Sequence, residues 1–237
     1  MGEGSGGAVG HSRRIGEVAG EAVGPSDGSR RLAGVVRARG VRDERLLSAI
    51  TEMPRAMFVP PNKARAAYRD EPIPIPHGLV TTQPSLVAQM VEALELEGAE
   101  KVLEVGTGYG WQTALLATQA GTVWSIEMWP DVADAGRANL HAAGIRNAHV
   151  VVGDGTEGLP AEAPFDAIIV TAAFTSVPPP LGDQLAAGGR LVQPIGPGGR
   201  DDVTLFEKRP DGLTRVRTIV PARFVRLRGS YGFRDDR

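Results

Sequence analysis

The stretch KVLEVGTGYGWQTALLA, residues 101–117, decides the fold. Val102-Leu103-Glu104-Val105 reads as an apolar strand, and Gly106, Gly108 and Gly110 then turn the chain. Thr113, Ala114, Leu115, Leu116 and Ala117 continue as a helix. Strand, glycine turn and helix is how α/β proteins offer backbone N–H groups to a nucleotide-like ligand at a helix N-terminus. Downstream, strands are predicted over 122–126, 148–152, 165–170 and 190–195, with helices over 130–143 and 179–186. Such alternation builds a parallel sheet covered on both faces. Residues 203–208 and 214–220 read as an antiparallel hairpin around Pro210-Asp211-Gly212. The expected fold class is α/β, a Rossmann-like three-layer sandwich with a mostly parallel sheet and an antiparallel C-terminal hairpin.

Upstream, residues 85–96 predict a helix opened by Pro84 and closed by Gly98, with Leu86, Met90, Ala93 and Leu94 on one face. Residues 30–50 carry helical spacing, and Asp43 is the expected N-cap of the second half. Prolines interrupt the path between these helices. Residues 63–68 read as a short helical turn, and Pro72, Pro74 and Pro76 impose an extended course. Residues 1–29, Gly- and Ser-rich and holding His11, read as a disordered tail. The expected organisation is that tail and one folded unit, 30–237. The unit has a helical, substrate-side segment at 30–97 and a cofactor-binding core at 98–227.

A net charge of −2 gives no footprint for nucleic acid or an anionic membrane. With no cysteine, disulfides, thiolate zinc sites and a cysteine nucleophile are excluded. No apolar run approaches the ~20 residues of a membrane helix. The N-terminus shows no signal-peptide core, and Gly6 stands where a myristoylation signal needs Ser or Thr. A cytoplasmic protein is expected.

A glycine triplet alone is a weak signal. A dinucleotide fingerprint needs Gly or Ala three residues after its second glycine, and here that position holds Trp111. S-adenosylmethionine fits better, because it presents an amino-acid end rather than a pyrophosphate. Gly106 and Gly108 allow close backbone approach, and Glu104 supplies a negative element. Glu127, at the end of the next strand, suits two ribose hydroxyls. Asp154, within Gly153-Asp154-Gly155, suits the adenine amino group, with an Asx-type turn as the competing reading. Thr107, Gly110, Gln112, Met128 and Gly155 complete the expected cofactor set. Trp111, Met128 and Trp129 are as ready to pack the core as to flank adenine. His77, His141, His149, Asp131 and Asp134 show no metal-ligand spacing, and no metal is expected. Asp166 is expected to make strand-entry hydrogen bonds.

Several motifs in order resemble those of protein-L-isoaspartate O-methyltransferases. They are Pro54-Arg55-x-x-Phe58-Val59, Thr81-Thr82-Gln83-Pro84 and Leu103-Glu104-Val105-Gly106-Thr107-Gly108, then Phe165-Asp166-Ala167-Ile168-Ile169-Val170-Thr171-Ala172-Ala173, Gly188-Gly189-Arg190-Leu191 and Arg223-Phe224-Val225. The resemblance spans roughly residues 41–227. It implies methyl esterification of the free carboxylate of L-isoaspartyl residues in damaged proteins or peptides. The ester then closes to a succinimide and returns partly to aspartate. A carboxylate is already ionised at neutral pH, so no general base is required. The enzyme's task becomes placement and partial desolvation.

In the family, the residue matching Thr82 is usually serine, with its hydroxyl at the active site. The resemblance therefore makes Thr82 the catalytic candidate and Thr81, Thr82 and Gln83 the substrate-binding set. The added methyl group of Thr82 and the long Gly-rich tail leave open a dedicated enzyme that esterifies one particular aspartate, and Pro76-His77-Gly78 stands where many relatives carry Gly-x-Gly. A non-catalytic cofactor-binding protein is a more distant alternative. An isoaspartyl protein or peptide is the expected partner and a monomer the expected state. Nucleic-acid methylation is disfavoured, because Thr171-Ala172-Ala173-Phe174 stands where an Asn/Asp-Pro-Pro-aromatic loop would be needed.

Overall fold

The structure, a computed structural model, describes residues 26–234. The expected tail, through residue 25, and His11 lie outside the described residues. The first helix, α1 (Asp27–Ala38), starts before residue 30 because the Ser26 hydroxyl caps it, accepting the Ser29 N–H at 3.1 Å. Helix α2 (Glu44–Glu52) has the expected cap. Asp43 accepts the N–H groups of Arg45 and Leu46 at 2.9 and 3.1 Å. Short 3₁₀ turns follow at Arg55–Phe58 and Pro61–Ala66.

Strands β1 (Ile73–Pro74) and β2 (Val80–Thr81) pair as a small antiparallel ribbon. Helix α3 (Pro84–Glu92) is shorter than its apolar pattern predicts. The chain leaves the helix and Glu95 takes a left-handed φ of 51°, yet Ala93, Leu94 and Leu96 stay buried. The pattern there records burial rather than helix.

The core then runs β3 (Lys101–Val105), α4 (Trp111–Gln119), β4 (Thr122–Glu127), α5 (Pro130–Ala142), β5 (Ala148–Val152) and β6 (Phe165–Val170). It closes with α6 (Pro179–Gln184), β7 (Leu185–Ile195), β8 (Asp201–Arg209) and β9 (Gly212–Ala222). The sheet order is β5-β4-β3-β6-β7-β8-β9, parallel through β7 and antiparallel for β8 and β9. Strand β7 begins at Leu185, not at residue 190. Phe165 pairs with Leu185 and Ala167 with Arg190, so residues 186–189 bulge outward, with Gly188 at φ 76°. A glycine pair that reads as a stop is thus a bulge inside a strand. Asp166 accepts the Lys101 N–H at 2.8 Å and ties the starts of β3 and β6, as expected.

Side-chain alternation divides the sheet into two faces. Val102, Ala167, Ile169 and Val192 pack with Leu32, Ile50, Met90 and Leu115. Leu103, Val105, Ile168, Val170 and Leu191 pack with Leu181 and Leu227. The chain steps from β3 to β4 and β5 on one side, then to β6 and β7 on the other. This reversal opens a crevice above the carboxyl ends of β3 and β6. No helix among the described residues is long and apolar enough to cross a membrane.

Candidate active site

A cavity of about 580 Å³ occupies that crevice. One wall is the glycine turn and the ends of β4 and β6. Gly106 takes φ 98°, and a Cβ there would collide with the Thr171 hydroxyl. That hydroxyl donates to the Val105 carbonyl at 2.9 Å and holds the turn against β6. Glu127 is buried at the end of β4 and faces the cavity. Its two oxygens accept the N–H groups of Gly108 at 2.9 Å and Trp129 at 3.2 Å. The carboxylate is thereby fixed in orientation, and each oxygen keeps lone-pair capacity for a ligand.

Glu104 is placed differently from the expectation. It is fully buried beneath the glycine turn and does not line the cavity. Gln112 Nε2 donates to it at 2.9 Å, Thr113 Oγ1 at 2.5 Å and Ser125 Oγ at 2.6 Å. Its carboxylate therefore fastens α4 and β4 to β3. The Thr107 hydroxyl joins the same network through Ser125 at 2.5 Å, and Thr107 also lines the cavity. Burial pushes the Glu104 carboxyl up to about 7, against the opposing hydrogen bonds from Ser125, Thr113 and Gln112.

The raised value carries a stability consequence. The protonated form is favoured in the fold, so Glu104's contribution is full below about pH 4.5 and lost as pH rises through about 7. The span corresponds to ~3 kcal/mol. Thermal melts of the parent and Glu104→Gln between pH 5 and pH 8 check this. The parent is expected to lose more melting temperature over that interval than the variant. Parallel slopes would dismiss it.

Asp154 is engaged within the fold. Its Oδ1 accepts the Thr156 N–H at 2.9 Å and hydroxyl at 2.6 Å, and its Oδ2 accepts the Ser230 N–H at 2.6 Å. Burial pushes its pKa up, and the bonds from Thr156 and Ser230 more than offset this, so it lies below the usual aspartate range. The residue makes the Asx-type turn and clasps the C-terminal segment; it does not line the cavity, whereas Gly155 does. Gln112 lines the cavity and leaves its Oε1 buried without a partner. Gly110, at φ 90°, is the N-cap of α4. Met128 is exposed at the mouth. Trp111 is buried in the core and also lines the cavity, with its Nε1 unpartnered. Trp129 stacks on His77 at 4.0 Å between centroids, and His77 Nε2 lies 2.9 Å from Asp131.

The Thr81–Thr82 loop also lines the cavity, and the Thr82 hydroxyl has no partner among the described residues. Gln83 lines the cavity, and its Nε2 donates to Asp70 at 3.0 Å and Ser85 at 3.1 Å, which braces the loop. Arg55 lies behind this loop, wholly buried. It stood in a matched motif, but nothing local in the sequence says what it would touch. The third wall is the segment following β9, including Arg223 and Phe224. Asp201 anchors that segment by accepting the N–H groups of Gly198, Gly199 and Phe224 at 2.9, 3.0 and 3.0 Å.

The model of the protein-L-isoaspartate(D-aspartate) O-methyltransferase family matches residues 29–231. The chain belongs to this family. It is 49% identical over 201 residues to the protein-L-isoaspartate O-methyltransferase of Methanoculleus marisnigri, covering 85% of this chain and 91% of that one. The relative from Anaeromyxobacter dehalogenans is 50% identical over 201 residues, covering 84% and 96%. A solved protein-L-isoaspartate O-methyltransferase superposes with a TM-score of 0.77 at 29% identity, over 86% of this chain and 67% of that one. A Plasmodium falciparum protein assigned to the same activity, solved with S-adenosyl-L-homocysteine, superposes with a TM-score of 0.70 at 21% identity and shares the fold. Its coverage is 86% of this chain and 99% of that one. The Rossmann-like reading of the sequence and the family resemblance are both borne out.

Proposed function

We propose that this methyltransferase esterifies the free carboxylate of L-isoaspartyl residues in proteins or peptides, using S-adenosylmethionine. The observation that carries the reading is what the cavity contains. Among the described residues its lining has one carboxylate, Glu127, and no His, Lys or Cys. Glu127 is oriented by two backbone N–H groups and is assigned here to the cofactor, which leaves the lining no carboxylate, His, Lys or Cys among the described residues to serve the acceptor. Such a site suits an acceptor that arrives ionised. Arg223, Arg226 and Arg228 add positive charge to the wall beside it.

The residues present fit the cofactor. The glycine turn admits a close ligand, Glu127 offers acceptors for two hydroxyls, and the orphaned Gln112 Oε1 offers one for an ammonium group. The cofactor, when bound, supplies an electrophilic methyl group. The chain's own work is to hold the acceptor carboxylate against the Thr82 hydroxyl and to keep water from it. Residues 98–227 serve the cofactor and residues 30–97 the acceptor. In this reading the enzyme acts as a monomer on cytoplasmic proteins or peptides.

Methyl transfer to a matched pair of peptides, one isoaspartyl and one aspartyl, tests the reading. Turnover is expected on the isoaspartyl peptide. Turnover confined to the aspartyl peptide would replace repair by dedicated tailoring, and turnover on neither would leave a binding protein.

A further inference from the structure

Arg55 is the largest side chain in the fold with no solvent exposure. It sits in a cage of oxygens drawn from two segments. Nη1 donates to the carbonyls of Ala67 at 3.0 Å and Arg69 at 3.3 Å. Nη2 donates to the Glu71 carbonyl at 3.2 Å, the Thr81 hydroxyl at 2.9 Å and the Thr82 carbonyl at 3.0 Å. Its guanidinium carbon lies 5.4 Å from the centre of the Trp111 ring. Among the described residues no carboxylate pairs with it directly, and Asp70 acts on it only through space. Burial lowers its pKa to about 10, so it remains charged at neutral pH. A buried cation balanced by carbonyl dipoles is a costly way to fill a core, and an apolar side chain would pack more cheaply. The arrangement needs a reason other than packing.

The reason lies in what Nη2 reaches. Thr81 Oγ1 accepts from a cation, so its own proton must point elsewhere. It has no acceptor among the described residues, and Thr81 lines the cavity. A hydroxyl whose oxygen is polarised in this way is a stronger donor. The same nitrogen pins the Thr82 carbonyl, which sets the loop that carries the second unpartnered hydroxyl. We infer that Arg55 is a positioning residue that commits the Thr81 hydroxyl to donate into the cavity, so that Thr81 and Thr82 together grip the acceptor carboxylate. This rests on the reading that the Thr81–Thr82 loop is the acceptor site.

The test measures kcat and KM on an isoaspartyl peptide, together with the dissociation constant of S-adenosylmethionine, for Arg55→Lys, Thr81→Val, Thr81→Ser and the Arg55→Lys/Thr81→Val double variant. Arg55→Lys and Thr81→Val are each expected to lower kcat/KM about tenfold to a hundredfold, the range for one hydrogen bond to a charged group. Cofactor affinity should change by less than about threefold, since the loop faces the acceptor. The double variant should be about as slow as the slower single, because one residue acts through the other. Thr81→Ser should recover most of what Thr81→Val loses. Effects that multiply in the double variant would overturn the inference. If Arg55→Lys does not fold, parent-like kcat/KM in Thr81→Val overturns it instead. Thr82→Ala separates the two levels. A slow Thr82→Ala with a parent-like Thr81→Val rejects Arg55's role and keeps the acceptor site. Parent-like rates in both reject the acceptor site itself.

Discussion

Replacing Glu127 by alanine should weaken S-adenosylmethionine binding by about a hundredfold or more. The carboxylate is buried and oriented by Gly108 and Trp129, so it meets a ligand without further ordering. A hydrogen bond to a charged group contributes roughly 1.5–3 kcal/mol, and two hydroxyls on one carboxylate would lose both. The variant also strips the Gly108 N–H of its partner, which loosens the turn the ligand must touch. Glu127→Gln keeps the shape but turns an NH₂ toward one donor, and an intermediate loss of about tenfold is expected. Calorimetric titration with the cofactor decides the matter. An unchanged dissociation constant in Glu127→Ala rejects the ribose role.

The second large effect is on turnover. Thr82→Ala is expected to lower kcat/KM on an isoaspartyl peptide about tenfold to a hundredfold, the value of one hydroxyl donating to a carboxylate. Cofactor affinity should stay within about twofold, because the proposed role of Thr82 is toward the acceptor. Thr82→Ser distinguishes the hydroxyl from the methyl group. If the hydroxyl acts alone, serine retains the rate. If the methyl group shapes the pocket, serine shifts KM between peptides while alanine lowers kcat on all of them. Parent-like kinetics in Thr82→Ala would remove this hydroxyl from the reaction.

What could be read in advance depended on how local each feature was. The run from β3 to β6 was legible because buried parallel strands and amphipathic helices write their burial along consecutive residues. Glu127 was legible for the same reason, since its place follows from the strand that ends on it. Glu104 and Asp154 stand at equally suggestive positions, yet their carboxylates are taken up by partners on other segments. Gln112 and Thr113 lie on the following helix, and Ser230 lies at the far end of the chain. Arg55 has the same character. Its cage is made of backbone carbonyls, which every sequence possesses, so no residue type marks it. The early end of α3 and the bulge in β7 were obscured in opposite ways. Ala93, Leu94 and Leu96 kept the helical spacing after the helix had ended, and Gly188-Gly189 gave a stop signal where the strand continues.

The clasp between Asp154 and Ser230 has a consequence for how the enzyme is made. The glycine turn and Glu127 leave the ribosome long before the segment that forms the third wall. From Gly106 to Arg228, synthesis at about 5–20 residues per second takes roughly 6 to 24 s. During that interval a nascent chain has half a binding site and an Asp154 carboxylate without its C-terminal partner. Cofactor abundant in the cell cannot yet stabilise the fold by mass action, because the complete site does not exist. The partly synthesised chain must rely on the apolar packing of β3, β4, β5 and β6 with the helices already made. Ligand binding therefore protects the finished enzyme and not the emerging one, and substitutions in that early core should reduce yield even in cells rich in S-adenosylmethionine.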